Sequence, residues 1–102
     1  MEISVTRDAG NARLTVKGDI DEKGAESLKR EISALNLAAL TEVTLDLKGV
    51  PYIGSSGIGK ILLLYKHLAT HDGQLRLENL NPDVFELFRE LKLDTLFPVT
   101  PA

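Results

Sequence analysis

Glu42-Val43-Thr44-Leu45-Asp46-Leu47-Lys48-Gly49-Val50-Pro51-Tyr52-Ile53-Gly54-Ser55-Ser56-Gly57-Ile58-Gly59-Lys60 holds a strand, a glycine-bearing loop and the opening of a helix. Glu42–Leu47 is rich in β-forming residues and reads as a strand. Gly49–Gly59 reads as the loop, and the helix that follows spans roughly residues 57–70, with Asp72-Gly73 as its stop. A strand that feeds a helix through a short loop is half of a βαβ unit, so the flanking segments decide the class.

Upstream, residues 2–6 read as a strand and Asp8-Ala9-Gly10-Asn11 as a turn. Ala12, Leu14 and Val16 then alternate with polar residues up to Lys17, the period of a half-buried strand, so the two segments form a hairpin. Ala25, Leu28, Ile32 and Leu35 recur at helical spacing, with Asp21 and Glu22 at the dipole-compatible start. Downstream, Leu75–Leu77 starts a fourth strand, and Asn81-Pro82 is a cap followed by proline in the first turn. Val84, Phe85, Phe88 and Leu91 form the stripe of a third helix, and Leu96–Val99 reads as a short last strand. The order β-β-α-β-α-β-α-(β) predicts an α/β fold. Its mixed sheet has four to five strands, an N-terminal hairpin and then parallel βα units with right-handed crossovers, covered by amphipathic helices. No repeat and no Pro/Gly/Ser-rich linker divides the chain, so residues 1–102 are expected to form one domain.

Composition narrows the function. Hydrophobic residues make up 43% of the chain, enough for a core at this length, and the net charge of −3 with no basic run argues against a nucleic-acid footprint. Without cysteine, disulfides, thiolate metal sites and Cys/His catalysis are excluded. Met1–Val5 has no basic, then apolar, leader pattern, and Ile61–Leu64 is too short to cross a bilayer, so a cytoplasmic protein without membrane insertion is expected.

The glycine loop admits three readings. Its backbone amides and the helix start that follows favour an anion, either a nucleotide or a phosphate carried by a serine. Gly54-x-x-x-x-Gly59-Lys60 fits the P-loop pattern until its last position, where Ile61 stands instead of the Mg²⁺-ligating Ser or Thr. The plainest reading makes Ser55 or Ser56 a helix cap. On a helical wheel Ile58, Ile61, Leu62, Tyr65, Leu68 and Ala69 form the core stripe, and Ser55 falls on its boundary. Ser56, Lys60, Leu63 and His67 face outward, which puts an accessible serine in register with an apolar side chain suited to docking.

The chain resembles the STAS family of anti-sigma-factor antagonists from its first hairpin to its third helix. The matching segments are Leu14-Thr15-Val16-Lys17-Gly18-Asp19-Ile20-Asp21, Val43-Thr44-Leu45-Asp46-Leu47-Lys48-Gly49-Val50 and Ile53-Gly54-Ser55-Ser56-Gly57-Ile58-Gly59, the last being the most specific. The resemblance implies a non-enzymatic antagonist, phosphorylated at Ser56 by a serine kinase that is also the anti-sigma factor, with a serine phosphatase as a further conceivable partner. Together with the outward helix face read from the wheel, it implies a docking region of Asp19, Asp21, Gly54, Ser55, Gly57, Ile58, Lys60 and Leu63. Asp46 matches the family and is expected to satisfy backbone donors of the loop. Gly54 departs from the pattern, because the family usually has Asp there. That departure motivates an alternative, a non-phosphorylated scaffold subunit of a signalling or transport assembly. A nucleotide-binding protein using Gly54–Lys60 is the second alternative.

His67 and His71 stand one helical turn apart but lack a third ligand, so they read as solvated side chains near a helix end. No cofactor and no metal is expected, and no spacing indicates a Ser/His/Asp set.

Overall fold

Along Asn11–Lys17 every second residue is buried, and that alternation decides which side of the sheet the helices occupy. In the computed structural model, which describes all residues from Met1 to Ala102, five strands lie in chain order. β1 (Glu2–Asp8) pairs antiparallel with β2 (Asn11–Lys17), and β2 pairs parallel with β3 (Glu42–Gly49). β4 (Gln74–Leu80) and β5 (Val99–Pro101) continue the parallel run. The helices α1 (Glu22–Ser33), α2 (Ser55–Ala69) and α3 (Pro82–Glu90) fill the three crossovers.

Right-handed crossovers between strands laid down in sequential order put every helix on the same side of the sheet. Ala12, Leu14, Val16, Val43, Leu45, Leu47, Leu75 and Leu77 face that side and join one continuous buried cluster. The opposite face carries Arg13, Thr15, Thr44, Asp46, Arg76 and Glu78, register partners across three strands. A parallel sheet with one bare face must alternate in this way, because no second helical layer desolvates the other side.

Three elements differ from the sequence expectation. The fourth strand runs to Leu80, well beyond Leu77. The last strand is Val99–Pro101 instead of Leu96–Val99, because Leu93–Thr95 closes a 3-10 turn after the left-handed Lys92 and turns Phe97 into the core. Leu91 caps the C-terminus of α3 and is exposed; Val84 and Phe88 carry the buried stripe. Asn81 caps α3 as expected, accepting from the Val84 amide at 2.9 Å, and its side-chain NH₂ donates to Val50 O at 2.9 Å. That second bond ties α3 to the loop after β3.

Candidate functional site

Gly57 and Gly24 allow the two loops at the carboxyl ends of β2 and β3 to close onto the helices they feed. A Cβ on Gly57 would run into Ile20 Cγ2, Ile53 Cγ1 at 2.9 Å and Ile20 O at 3.2 Å. A Cβ on Gly24 would stand 2.5 Å from Asp19 O. With no side chain in the way, the loops run side by side. Gly18 N–H donates to Gly49 O, Ile20 N–H to Tyr52 O and Gly54 N–H to Ile20 O, each at 2.9 Å, with a parallel bridge between Ile20 and Ile53. This lacing brings the exposed Asp19 and Asp21 beside the start of α2. The place lies beyond the carboxyl ends of β2 and β3.

The helix begins two residues earlier than the sequence suggests. Gly54 is its N-cap in extended conformation, and no side chain caps it. Ser55 and Ser56 are therefore the first two helical residues, and neither acts as a cap. Both are exposed, so Ser55 does not lean toward the core as the wheel implied. The amides at the head of such a helix have no intrahelical partner and carry partial positive charge.

The buried stripe of α2 is Gly57, Ile61, Leu64 and Leu68. Leu64 belongs to it and Ala69, which is exposed, does not; Ile58, Leu62 and Tyr65 are half-buried. The stripe is rotated because α2 meets neighbours on both flanks: Tyr65 packs against Phe97 with ring centroids 5.5 Å apart and planes tilted by 53°, while the other flank faces α1. On the outward side Ser56, His67 and the 49%-exposed Leu63 remain open. Lys60 is half-buried, with its Nζ 3.9 Å from a Glu26 carboxylate oxygen. Gly57 is buried and serves the close approach of α2 to Ile20, so it offers no surface to a partner.

Asp21 is the N-cap of α1, accepting from the Gly24 amide at 2.9 Å. Asp19 stays exposed. Tyr52, which sequence reasoning passed over, is 55% exposed, and its Oη lies 3.0 Å from where a Gly54 Cβ would stand. The only signal was an aromatic residue in a loop between Pro51 and Ile53.

Asp46 anchors the base of the loop from the bare face of the sheet. Its Oδ1 accepts from the Lys48 amide and from Asn79 Nδ2, both at 3.1 Å, and its Oδ2 accepts from Arg13 Nη2 at 2.8 Å. Arg13 also donates to Glu78 Oε1 at 2.9 Å. Partial burial raises the Asp46 carboxyl, but the Lys48 amide, the Asn79 amide and Arg13 together outweigh it and hold it below the ordinary aspartate range. A folded-state value below the unfolded one adds stability that is complete above about pH 4 and disappears as pH falls through the folded value. Asp46→Asn is expected to cost about 1–2 kcal/mol at neutral pH and to flatten the acid limb of stability below about pH 4. Urea titrations from pH 2.5 to 7 check both; an unchanged acid limb would remove Asp46 as its source.

The P-loop alternative does not survive this geometry. Of Gly54–Lys60, all but the first residue lie inside α2, so they form no loop that could wrap a chain of phosphates. No group of three His, Cys, Asp or Glu side chains converges, and no helix is long and apolar enough to cross a membrane.

Similarity to known proteins follows the same geometry. Residues 2–102 match the family model described as STAS domain. BtrV of Bordetella bronchiseptica, by name a provisional anti-sigma factor antagonist, is 31% identical over 99 residues, covering 97% of this chain and 85% of BtrV. An anti-sigma factor antagonist from Mycobacterium paratuberculosis has a solved structure that superimposes with a TM-score of 0.86 at 25% identity, over 99% of this chain and 86% of that one. The Bacillus cell fate determinant SpoIIAA in its phosphorylated form shares the fold, with a TM-score of 0.76 at 20% identity over 96% of this chain and 90% of that one. The laced loops, the uncapped second helix and these likenesses agree: the chain belongs to the STAS domain family, and the curated relatives it matches are named as anti-sigma factor antagonists.

Proposed function

We propose that this protein is a non-enzymatic cytoplasmic anti-sigma-factor antagonist that docks on a serine kinase/anti-sigma factor and is released when Ser56 is phosphorylated. The observation that carries the reading is the exposed Ser56 hydroxyl at the second position of a fifteen-residue helix that no side chain caps. The docking face consists of Asp19 and Asp21 on one loop, Gly54 and Ser55 at the helix start, and Ile58, Lys60 and Leu63 along α2.

Phosphate adds about −1.5 to −2 charges. The domain tolerates it, because a helix N-terminus stabilises negative charge. A partner covering the same end strips the water that hydrates the phosphate, and that desolvation opposes docking without opposing the fold. The domain thus stays folded while the complex separates. In support, SpoIIAA superimposes on this chain about equally in its unphosphorylated and phosphorylated forms, with TM-scores of 0.74 and 0.76.

Incubation with the anti-sigma kinase of its host and Mg-ATP, followed by intact-mass and fragment-ion spectrometry, tests the assignment. One phosphate on Ser56 is expected, lost in Ser56→Ala and kept in Ser55→Ala. Modification of Ser55 alone would move the switch. No modification at all would favour a scaffold role, the reading that Gly54 motivates.

A further inference from the structure

Between the C-terminal half of α1, the 3-10 turn Leu37–Ala39 and the outer flank of α2 lies an open hollow of about 500 Å³. Its apolar wall includes Ile32, Leu37 and the largely exposed Leu63, with buried Leu64 beneath. Lys29, Lys60, His67 and His71 stand around it, and no carboxylate lines it. Glu26 lies outside the lining, with its carboxylate 3.9 Å from Lys60 Nζ. In a chain with more acidic than basic residues, a hollow lined by two lysines, two histidines, the neutral Ser33 and Asn36 and no carboxylate is a local reversal of charge.

We propose that this hollow binds a small anionic amphiphile, an apolar tail of roughly eight to twelve carbons ending in a carboxylate or phosphate. The volume falls within the roughly 300–1,000 Å³ range of small-molecule sites, which are mainly apolar with a few placed polar groups. The tail covers Leu63 and the gap above Leu64, removing apolar surface from water. The head meets Lys29 and Lys60, whose ammonium groups donate to a carboxylate or phosphate, while His67, about 10 Å further along the α2 axis, and His71 beyond it border the tail. A docked partner helix would instead need an extended groove with anchors at i, i+3/i+4 and i+7. Here the apolar residues line one hollow, with two lysines and no carboxylate in its lining, which suits an anionic headgroup.

Decanoate, kept below its micellar concentration, is the probe. Calorimetric titration is expected to show one saturable site. Amide shifts on titration should centre on Ile32, Leu37, Leu63 and Leu64. Leu63→Glu, at an exposed position that folding tolerates, should weaken binding at least about tenfold. Lys29→Gln combined with Lys60→Gln should weaken decanoate and leave decanol unchanged; decyl phosphate should follow decanoate. Absence of saturation, shifts centred elsewhere, or equal affinity for decanol and decanoate would overturn the proposal. So would a stable dimer in light scattering that excludes decanoate, which would give the hollow to a second copy of the chain.

Discussion

Ser56→Asp is expected to bind the partner anti-sigma factor about 10- to 100-fold more weakly than the unmodified protein, with Ser56→Ala binding as tightly as wild type. The range corresponds to about 1.4–2.8 kcal/mol. Placing like charges together at an interface costs several kcal/mol. Aspartate carries one charge where phosphate carries nearly two, so the substitution should capture only part of the effect. The variant also separates binding from folding. A carboxylate in the first turn of α2 interacts favourably with the helix dipole, adding about 0.3–1 kcal/mol of stability. Calorimetry or interferometry with the purified partner, beside a thermal melt, reads both quantities. Weaker binding by an equally or more stable protein supports the switch. Equal affinity of the two variants for a cognate partner would remove Ser56 from the mechanism.

The second large effect comes from two glycines that stand two residues apart and should respond with opposite sign. Gly57→Val should destabilise the fold by about 3 kcal/mol, the upper end of the overpacking range. Its new methyl groups would meet Ile20 and Ile53, and the loop cannot retreat, because Gly54 N–H and Ile20 O hold it at 2.9 Å. At Gly59 nothing lies within 4 Å of an added Cβ. Gly59→Ala should therefore stabilise by about 0.5–1 kcal/mol, the ordinary gain of alanine over glycine inside a helix. Urea denaturation of both variants gives the comparison. If Gly57→Val fell within about 0.5 kcal/mol of wild type, the typical span of an uninvolved surface change, the close approach of α2 to Ile20 would be refuted. Because that approach sets where Ser55 and Ser56 emerge, Gly57→Val should also slow phosphorylation at any temperature where it remains folded.

Local regularity made much of the fold legible. Alternation at Ala12, Leu14 and Val16 and the Asn81-Pro82 cap are written in adjacent residues, and the β–α order follows from them. Right-handed crossovers then supply the parallel pairing. The last strand was misplaced because Leu96–Val99 has strand composition, but the 3-10 turn after Lys92 redirects Phe97 into the core, a tertiary demand. The stripe of α2 was drawn with Ala69 in place of Leu64 because nearly every residue from Ile58 to Tyr65 is apolar. A wheel cannot choose a centre for such a helix; the neighbours on its two flanks do.

At the site, sequence placed Ser56 and Leu63 outward, and both are exposed; Asp46, expected to satisfy backbone donors of the loop, accepts from one backbone amide, Lys48 within β3, and otherwise from the side chains of Asn79 and Arg13. Sequence reasoning missed Tyr52, and it counted Gly57 as a contact although the residue is buried. By itself, then, the sequence determined the order of elements, the half-buried alternation of β2 and the identity of the serine-bearing segment, since each depends on neighbours a few positions apart. Tertiary structure alone decided that α2 starts uncapped at Gly54, that Asp19 and Asp21 lie against that start, and that a basic-edged hollow opens beside Leu63. Those features arise from contacts between segments distant in the chain, whose geometry is set by how closely two backbones approach.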